Sequence, residues 1–420
     1  MPYFLVVFVL FTSHTHAMDL SALITQTINS HPTVQVEQNR LAIAETERSL
    51  AQQQYYPTFS ISYENAVQTR DFDINYQGDQ QVTTFRLQQP LYTFGRLDAG
   101  LAKTQAQVDS QTMTIHEVQL QLAQAVLQAW GEWFAATLRS EAIDKSIATH
   151  ERLKQSVTRR TDRGASSPSE VQLSVARLAQ INAQAANTQL QIAAAKVKLE
   201  QYIGTRIPAQ TTPKQFLKFA VQNTALMIQE ALDNNPTLER FAADIRRSQA
   251  QAREDSASLK PEVYLRAEHQ RGDFSTATPF QNRIFVGLQS NFGAGLSALD
   301  KLTLAQQRTE ALKAEVNVVE RQVIERVQLE TTQLEILALR QTALELSLEA
   351  NEGIAEAFNR QYLAGRRSWV EVMNTARELA QAELELADLK AAKVLSYWRL
   401  AFLVKGLDGT LSLSQPVEMK

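Results

Sequence analysis

Two short stretches gather the residues best suited to chemistry: RGASSPSEVQL at 163–173 and AGRRSWVEVMN at 364–374. Each places a serine three residues before a glutamate, Ser167 with Glu170 and Ser368 with Glu371. That spacing is a capping box, in which the hydroxyl accepts from a backbone N–H and the carboxylate accepts from the serine's own N–H. Pro168 takes the first helical position of the first box, where a missing N–H costs least. The second stretch adds Arg366 and Arg367, cations able to make charge-assisted bonds to carboxylates. This is holding chemistry, not bond-breaking. His116 and His150 have no histidine or carboxylate at i+3 or i+4, so packing or surface roles are expected of them. No Gly-rich phosphate loop, nucleophile elbow or metal motif is present, and neither an enzyme nor a cofactor is expected.

Composition narrows the classes further. The 420 residues carry a formal net charge of −3, which gives no reason to expect nucleic acid as a partner. An apolar fraction of 44% with 21% charged residues is that of a folded chain. There is no cysteine, which removes disulfides, thiolate sites, a cysteine nucleophile and a lipid-bearing cysteine. The apolar run Tyr3–Phe11, followed by a polar stretch to Ala17, fits a signal peptide over 1–17, although no Lys or Arg precedes the run. No later segment has 18 consecutive apolar residues, so a membrane could be entered only as a barrel.

The elements that must position the two stretches repeat. Ser30-His31-Pro32-Thr33-Val34 matches Asn234-Asn235-Pro236-Thr237-Leu238, and Tyr56-Pro57 matches Lys260-Pro261 at the same offset. Arg163-Gly164 and Glu170-Val171 match Ala364-Gly365 and Glu371-Val372. The first repeat is read as 18–204 and the second as 224–405, with a linker at 205–223 and a tail at 406–420. Each repeat opens with a helix, about Leu20–Tyr55 and Ala225–Leu259. Two runs of period two follow in each: strands at about 58–70 and 82–94, then about 261–271 and 282–293. Polar, turn-prone segments, Asp71–Gln81 and Arg271–Gln281, separate them. A long helix comes next, Arg96–Arg160 or Leu296–Gln361, each roughly 100 Å at 1.5 Å per residue. Its apolar residues recur every three or four positions, as in a coiled coil. A shorter helix returns, Pro168–Ile203 or Trp369–Val404. Trp130, Trp133 and Phe134 read as interhelical packing. Tyr55, Tyr56, Tyr92 and Phe94 at strand ends form either an interfacial aromatic belt or edge cover. Strands with one apolar and one polar face suit a transmembrane barrel, but four cannot close one, since about eight is the practical minimum.

Duplicated halves ordered helix, β-hairpin, long helix, turn, helix resemble the TolC-type outer-membrane channel family. The local carriers are the Pro32 and Pro236 helix starts, Leu87-Gln88-Gln89-Pro90-Leu91 with Gly95, and the turns at Gly164 and Gly365. At Asn291-Phe292 the second half lacks the family's strand-ending proline. The resemblance implies a mainly α fold with a small β part. It implies a homotrimer whose 12-stranded barrel in outer-membrane lipid continues as a periplasmic α-helical barrel, belted by the linker and tail. It implies an exit duct serving a periplasmic adaptor protein and an inner-membrane ABC or proton-driven transporter. The turn sequence Arg163–Glu170 and the absence of cysteine lean the cargo towards type I protein secretion rather than small-molecule efflux.

The resemblance also assigns roles at the turns. Tyr362 and Arg367 stand where the family ties its second turn to an acidic partner in the first, here Glu170 with Ser169. Glu371 and Asn374 stand where the family places two acidic rings round its periplasmic aperture, and Asn374 is uncharged. The plainer account of Ser167, Glu170, Ser368 and Glu371 is capping alone. A reading from another class is a soluble periplasmic coiled-coil adaptor or scaffold whose hairpins are small folded ends.

Overall fold

The computed structural model of the chain describes residues 17–66, 78–274, 281–290 and 297–414. The expected signal peptide, save Ala17, lies outside the described residues. So do the ends expected for the first and fourth strands, much of the polar segments between strands, and Asn291-Phe292.

Each opening helix is broken in two. In place of one helix over Leu20–Tyr55 there are α1 (Leu20–Ser30) and α2 (Pro32–Gln53). The second half repeats this with α5 (Thr224–Asp233) and α6 (Pro236–Ser258). Pro32 explains the break, because its ring drives the preceding residue out of the α region, and His31 sits at φ −73°, ψ 130°. The long helices are α3 (Arg96–Asp162) and α7 (Ser297–Leu363), and the returning ones α4 (Pro168–Ile203) and α8 (Trp369–Leu413). α8 runs past the expected end at Val404 and kinks at Gly406, whose φ of 66° and ψ of −170° suit glycine alone. The expected tail therefore begins as helix. In the linker, β4 (Thr212–Lys214) pairs in parallel with β1 (Ala17–Asp19), a sheet too short to leave a periodic signal.

The chain divides into two compact units. One comprises Val36–Glu117 with Pro236–Arg321. Its sheet contains β2 (Thr58–Asn65), β3 (Gln81–Tyr92), β5 (Glu262–Arg271) and β6 (Gln281–Gln289) in the order β2-β3-β5-β6, all antiparallel. The β3–β5 pairing fuses the hairpins of the two halves into a single sheet. Opposed residues share a face, so the register sorts the side chains into rows. Phe59, Leu87, Ala267 and Ile284 make one row, with Ile61 beside Phe85 in the next. On this face Phe59, Ile61, Ile284 and Val286 are exposed, Ile284 at 78%. Further along the helices of this unit, a polar knot binds α3 to α6. Arg240 meets Glu117 and Asp244 at 2.9 Å each, and Ser110 Oγ donates to Asp244 Oδ1 at 2.8 Å.

The other unit holds residues to Gln35, Val118–Asn235 and Gln322 onward. Its main core joins α1, α3, α4 and α8 through Leu20, Leu23, Ile24, Trp130, Trp133, Leu199, Trp398 and Phe402. Gly131 lets α8 approach closely, because a Cβ there would stand 2.4 Å from Leu395 Cδ2. Lys196 stitches the linker down, donating to the carbonyls of Ala209 at 2.9 Å and Thr211 at 3.3 Å. Trp398 is fully buried, and its indole N–H donates to Gln215 Oε1 at 3.2 Å. Trp398→Ala is expected to cost about 3–5 kcal/mol of stability. Thermal or denaturant unfolding measures this, and a loss below about 1 kcal/mol would contradict the core assignment.

Candidate functional site

The two stretches rich in polar chemistry fold as paired helical turns within the second unit. α3 and α7 end alike. Gly164 (φ 73°) and Gly365 (φ 75°) are left-handed, the conformation that terminates a helix at least cost when the residue is glycine. Ala165 N–H donates to Arg160 O at 2.8 Å, and Arg366 N–H to Gln361 O at 2.9 Å. Gly164 N–H and Gly365 N–H each reach the carbonyl three residues back at 2.9 Å. Two turns of different sequence thus share one backbone design.

Their caps differ. Ser368 and Glu371 complete the expected box, with Glu371 Oε2 accepting from Ser368 N–H at 3.0 Å and from its hydroxyl at 2.9 Å. At the first turn only half the box forms. Ser167 Oγ accepts from Ser169 N–H at 3.2 Å, while the Glu170 carboxylate leaves its own helix and receives the Tyr362 hydroxyl at 2.9 Å.

That bond is the end of a directed polar chain. Arg160 Nε donates to Ser166 Oγ at 3.3 Å. Ser166 and Tyr362 share a hydrogen bond of 2.8 Å, and with the tyrosine proton already on Glu170, the serine must be its donor. A cation is therefore joined to a carboxylate through two hydroxyls, from the first turn out to Tyr362 of the second and back. Arg160 also donates to Leu363 O at 2.8 Å, satisfying an end carbonyl of α7, and lies 5.0 Å above the Tyr362 ring. Tyr362 is only 4% exposed. Burial, with help from Glu170, pushes its phenol above the ordinary value, so it remains a donor at neutral pH.

A small apolar core supports the chain. Trp369 is buried against Tyr362, ring centroids 4.7 Å apart, with Leu153, Val157, Val372 and Met373 around them. The Trp369 indole N–H donates to Ser174 Oγ at 2.9 Å, which ties α8 to α4.

Of the expected tie, Tyr362 and Glu170 meet, but Arg367 and Ser169 stand elsewhere. Arg367 pairs with Glu371 in the first turn of α8, donates to Gln361 Oε1 at 3.1 Å, and stacks 4.2 Å from the Phe358 ring. Arg367 directly precedes the Ser368 cap, so Glu371 in the first turn of α8 is the carboxylate nearest to it along the chain, and that local partner wins over Glu170. Ser169 Oγ bonds Ser167 Oγ at 2.8 Å. Asn374 lies half-buried one turn beyond Glu371. Arg160, Ser166 and Trp369 carry what sequence reasoning missed. Trp369 at a helix start was the one visible signal. His150 is buried and bonded to Ser146 O at 2.9 Å, and burial lowers its pKa. Among the described residues no cluster of His, Asp or Glu is placed to hold a metal, and no helix is long and apolar enough to cross a membrane.

A family model described as outer membrane efflux protein matches residues 23–205 and 227–404, one block in each half. A search of curated protein sequences returns no significant match. Among solved structures, the outer membrane protein VceC of Vibrio cholerae aligns with a TM-score of 0.78 at 16% identity, over 93% of this chain and 96% of that one. The CmeC outer membrane channel of Campylobacter jejuni aligns at 0.74 and 12% identity, over 94% and 86%. The open state of the MtrE outer membrane channel of Neisseria gonorrhoeae aligns at 0.72 and 16%, over 93% and 89%. At such identities the likeness is one of fold.

The Glu371 cap predicts a pH dependence. Bonds from the Ser368 backbone and hydroxyl, then from Arg367, hold its carboxyl below the ordinary value. A lowered folded pKa stabilises above the unfolded value of about 4.3 and stops doing so as pH falls through the folded one. Protection of the Ser368 amide from hydrogen exchange, corrected for intrinsic rate, is expected to hold through the ordinary carboxylate range and to fall only at more acid pH. In Glu371→Gln it should be weaker and flat with pH. Protection independent of pH in the unaltered chain would contradict this cap.

Proposed function

The chain belongs to the outer membrane efflux protein family, and on that premise we propose that three copies of it form one exit duct. Family membership places it in the outer membrane, with a large helical part in the periplasm. One observation carries the proposal: a four-stranded sheet whose edge strands β2 and β6 have no further strand beside them among the described residues, with an exposed apolar face. Lipid can cover that face, but edge N–H and C=O groups in lipid must find strand partners. Three copies supply twelve strands, enough to close a barrel. The helices then form the periplasmic tunnel, belted by the linker with β4 and by the chain beyond Gly406. An adaptor protein and an inner-membrane ABC or proton-driven transporter deliver the cargo, and the duct itself catalyses nothing.

The paired turns fit a latch at the periplasmic mouth. Its tie is the chain Arg160–Ser166–Tyr362–Glu170, with Arg367 holding Glu371 beside it. A hydrogen bond to a charged group contributes about 1.5–3 kcal/mol, so its loss shifts a closed–open balance roughly 10- to 150-fold. Glu371 and Asn374 line the aperture in this reading, one carboxylate per copy and that one already paired.

Membrane fractionation and planar-bilayer recording test the function together. The protein is expected in the outer membrane, released only by detergent, and forming channels when reconstituted. Release without detergent, with no conductance, would sink the duct. Tyr362→Phe is expected to raise mean conductance, and more than Arg367→Ser does; the reverse order would move the tie to Arg367. Asn374→Asp is expected to strengthen block by divalent cations from the periplasmic side, and unchanged block would remove residue 374 from the aperture. For cargo, the turn sequence Arg163–Glu170 leans towards type I protein secretion. A strain lacking the chain should then retain a secreted protein; sensitivity to toxic small molecules instead would make it an efflux duct.

A further inference from the structure

The sheet's second face has a charge pattern that the latch and the apolar face do not explain. Opposed residues Ser60, Arg86, Glu268 and Arg283 form one row across all four strands. The adjoining row is Thr58, Gln88, Arg266 and Phe285. Two neighbouring rows thus hold three arginines against a single glutamate. Glu268 serves two of them, at 2.7 Å from Arg86 and 3.2 Å from Arg266. Arg283, on the edge strand, is exposed and has no ion pair among the described residues.

Arg266 is held in place by aromatic rings. Its guanidinium lies 4.9 Å from the Phe285 centroid and 5.6 Å from that of Tyr264. Gly287 makes room for this, since a Cβ there would stand 2.3 Å from Tyr264 Cζ. Stacking keeps the charge aimed across the face without neutralising it. The other acidic groups of the sheet and its turns, among the described residues, stand away from the two rows. Glu262 is bound by Arg96 at 2.6 Å. Glu64 lies four strand positions beyond Ser60, about 13 Å at 3.3 Å per residue and outside the screening length of about 8 Å at physiological salt. Asp79 and Asp273 meet beyond the strand ends, Asp79 N–H donating to Asp273 O at 2.7 Å.

We propose that these rows form an anion-attracting belt inside the barrel, built by Arg86, Arg266 and Arg283 with Glu268 as their shared counter-ion. The inference rests on the trimeric-barrel reading, in which the face opposite Phe59 and Ile284 lines the lumen. Three copies set nine arginines against three glutamates round one ring, and rings of fixed charge set the sign of the ion a pore prefers. Arginine stays charged at every physiological pH, so the preference is permanent. The belt favours chloride among small ions, and carboxylate- or phosphate-bearing cargo among larger ones.

The reversal potential of reconstituted full-length channels in a KCl gradient tests this. It is read in the unaltered chain and in Tyr362→Phe, so that a shut mouth does not mask the barrel. The double variant Arg86→Gln, Arg283→Gln is expected to lower the chloride-to-potassium permeability ratio roughly twofold or more. Glu268→Gln should move it the opposite way, a result that general loosening of the sheet does not produce. Channels whose ratio is unmoved by either change overturn the belt and leave the duct standing. Absence of channels in the unaltered chain and in Tyr362→Phe overturns the duct, and the belt with it.

Discussion

Backbone hydrogen bonding at two strand edges constrains everything else in this protein. β2 and β6 are the edges of the sheet, with no further strand beside either among the described residues, next to a face where Phe59, Ile61 and Ile284 are exposed. In water the apolar face is costly, and in lipid the open edges are. Both costs vanish only if the sheet joins others of its kind and closes. The duplication serves that end, because a single hairpin is too narrow and the β3–β5 pairing doubles it.

The paired turns show the same duplication put to unequal use. Their backbones are near copies, with glycine at the same step and the same two bonds closing the helix. Their side chains have diverged. One turn spends its glutamate on its own cap; the other sends Glu170 across to Tyr362. A cap residue redirected to a partner is a modest change in sequence. It converts a local stabiliser into a cross-link between helices.

Much of this was legible in the residues. Strand periods, the long helices, the start at Pro168 and the turns at Gly164 and Gly365 follow from local patterns, and the chain obeys them. The breaks before Pro32 and Pro236 are not legible, since proline at a helix start and proline splitting a helix look alike until the preceding residue's backbone is known. The pairing of β1 with β4 involves three residues a side and no period at all. The site was half legible. Tyr362 with Glu170 followed from the resemblance, but Arg367 found a nearer carboxylate. Arg160 supplied the cation from the end of α3, and no spacing rule links residue 160 to residue 362. The burial of Trp369 at a helix start depends in part on α4, another helix.

The absence of cysteine permits a direct test of the closed sheet, because any disulfide must come from introduced residues. Ile61→Cys on β2 is combined in turn with Ile284→Cys, Val286→Cys and Leu288→Cys on β6, on the same apolar face, and the protein is oxidised in outer membranes. At the correct register the account predicts covalent species ending at three chains, and none when the second cysteine replaces Leu87 within the sheet. Single chains at every register, or products growing past three, would contradict a barrel closed by three copies.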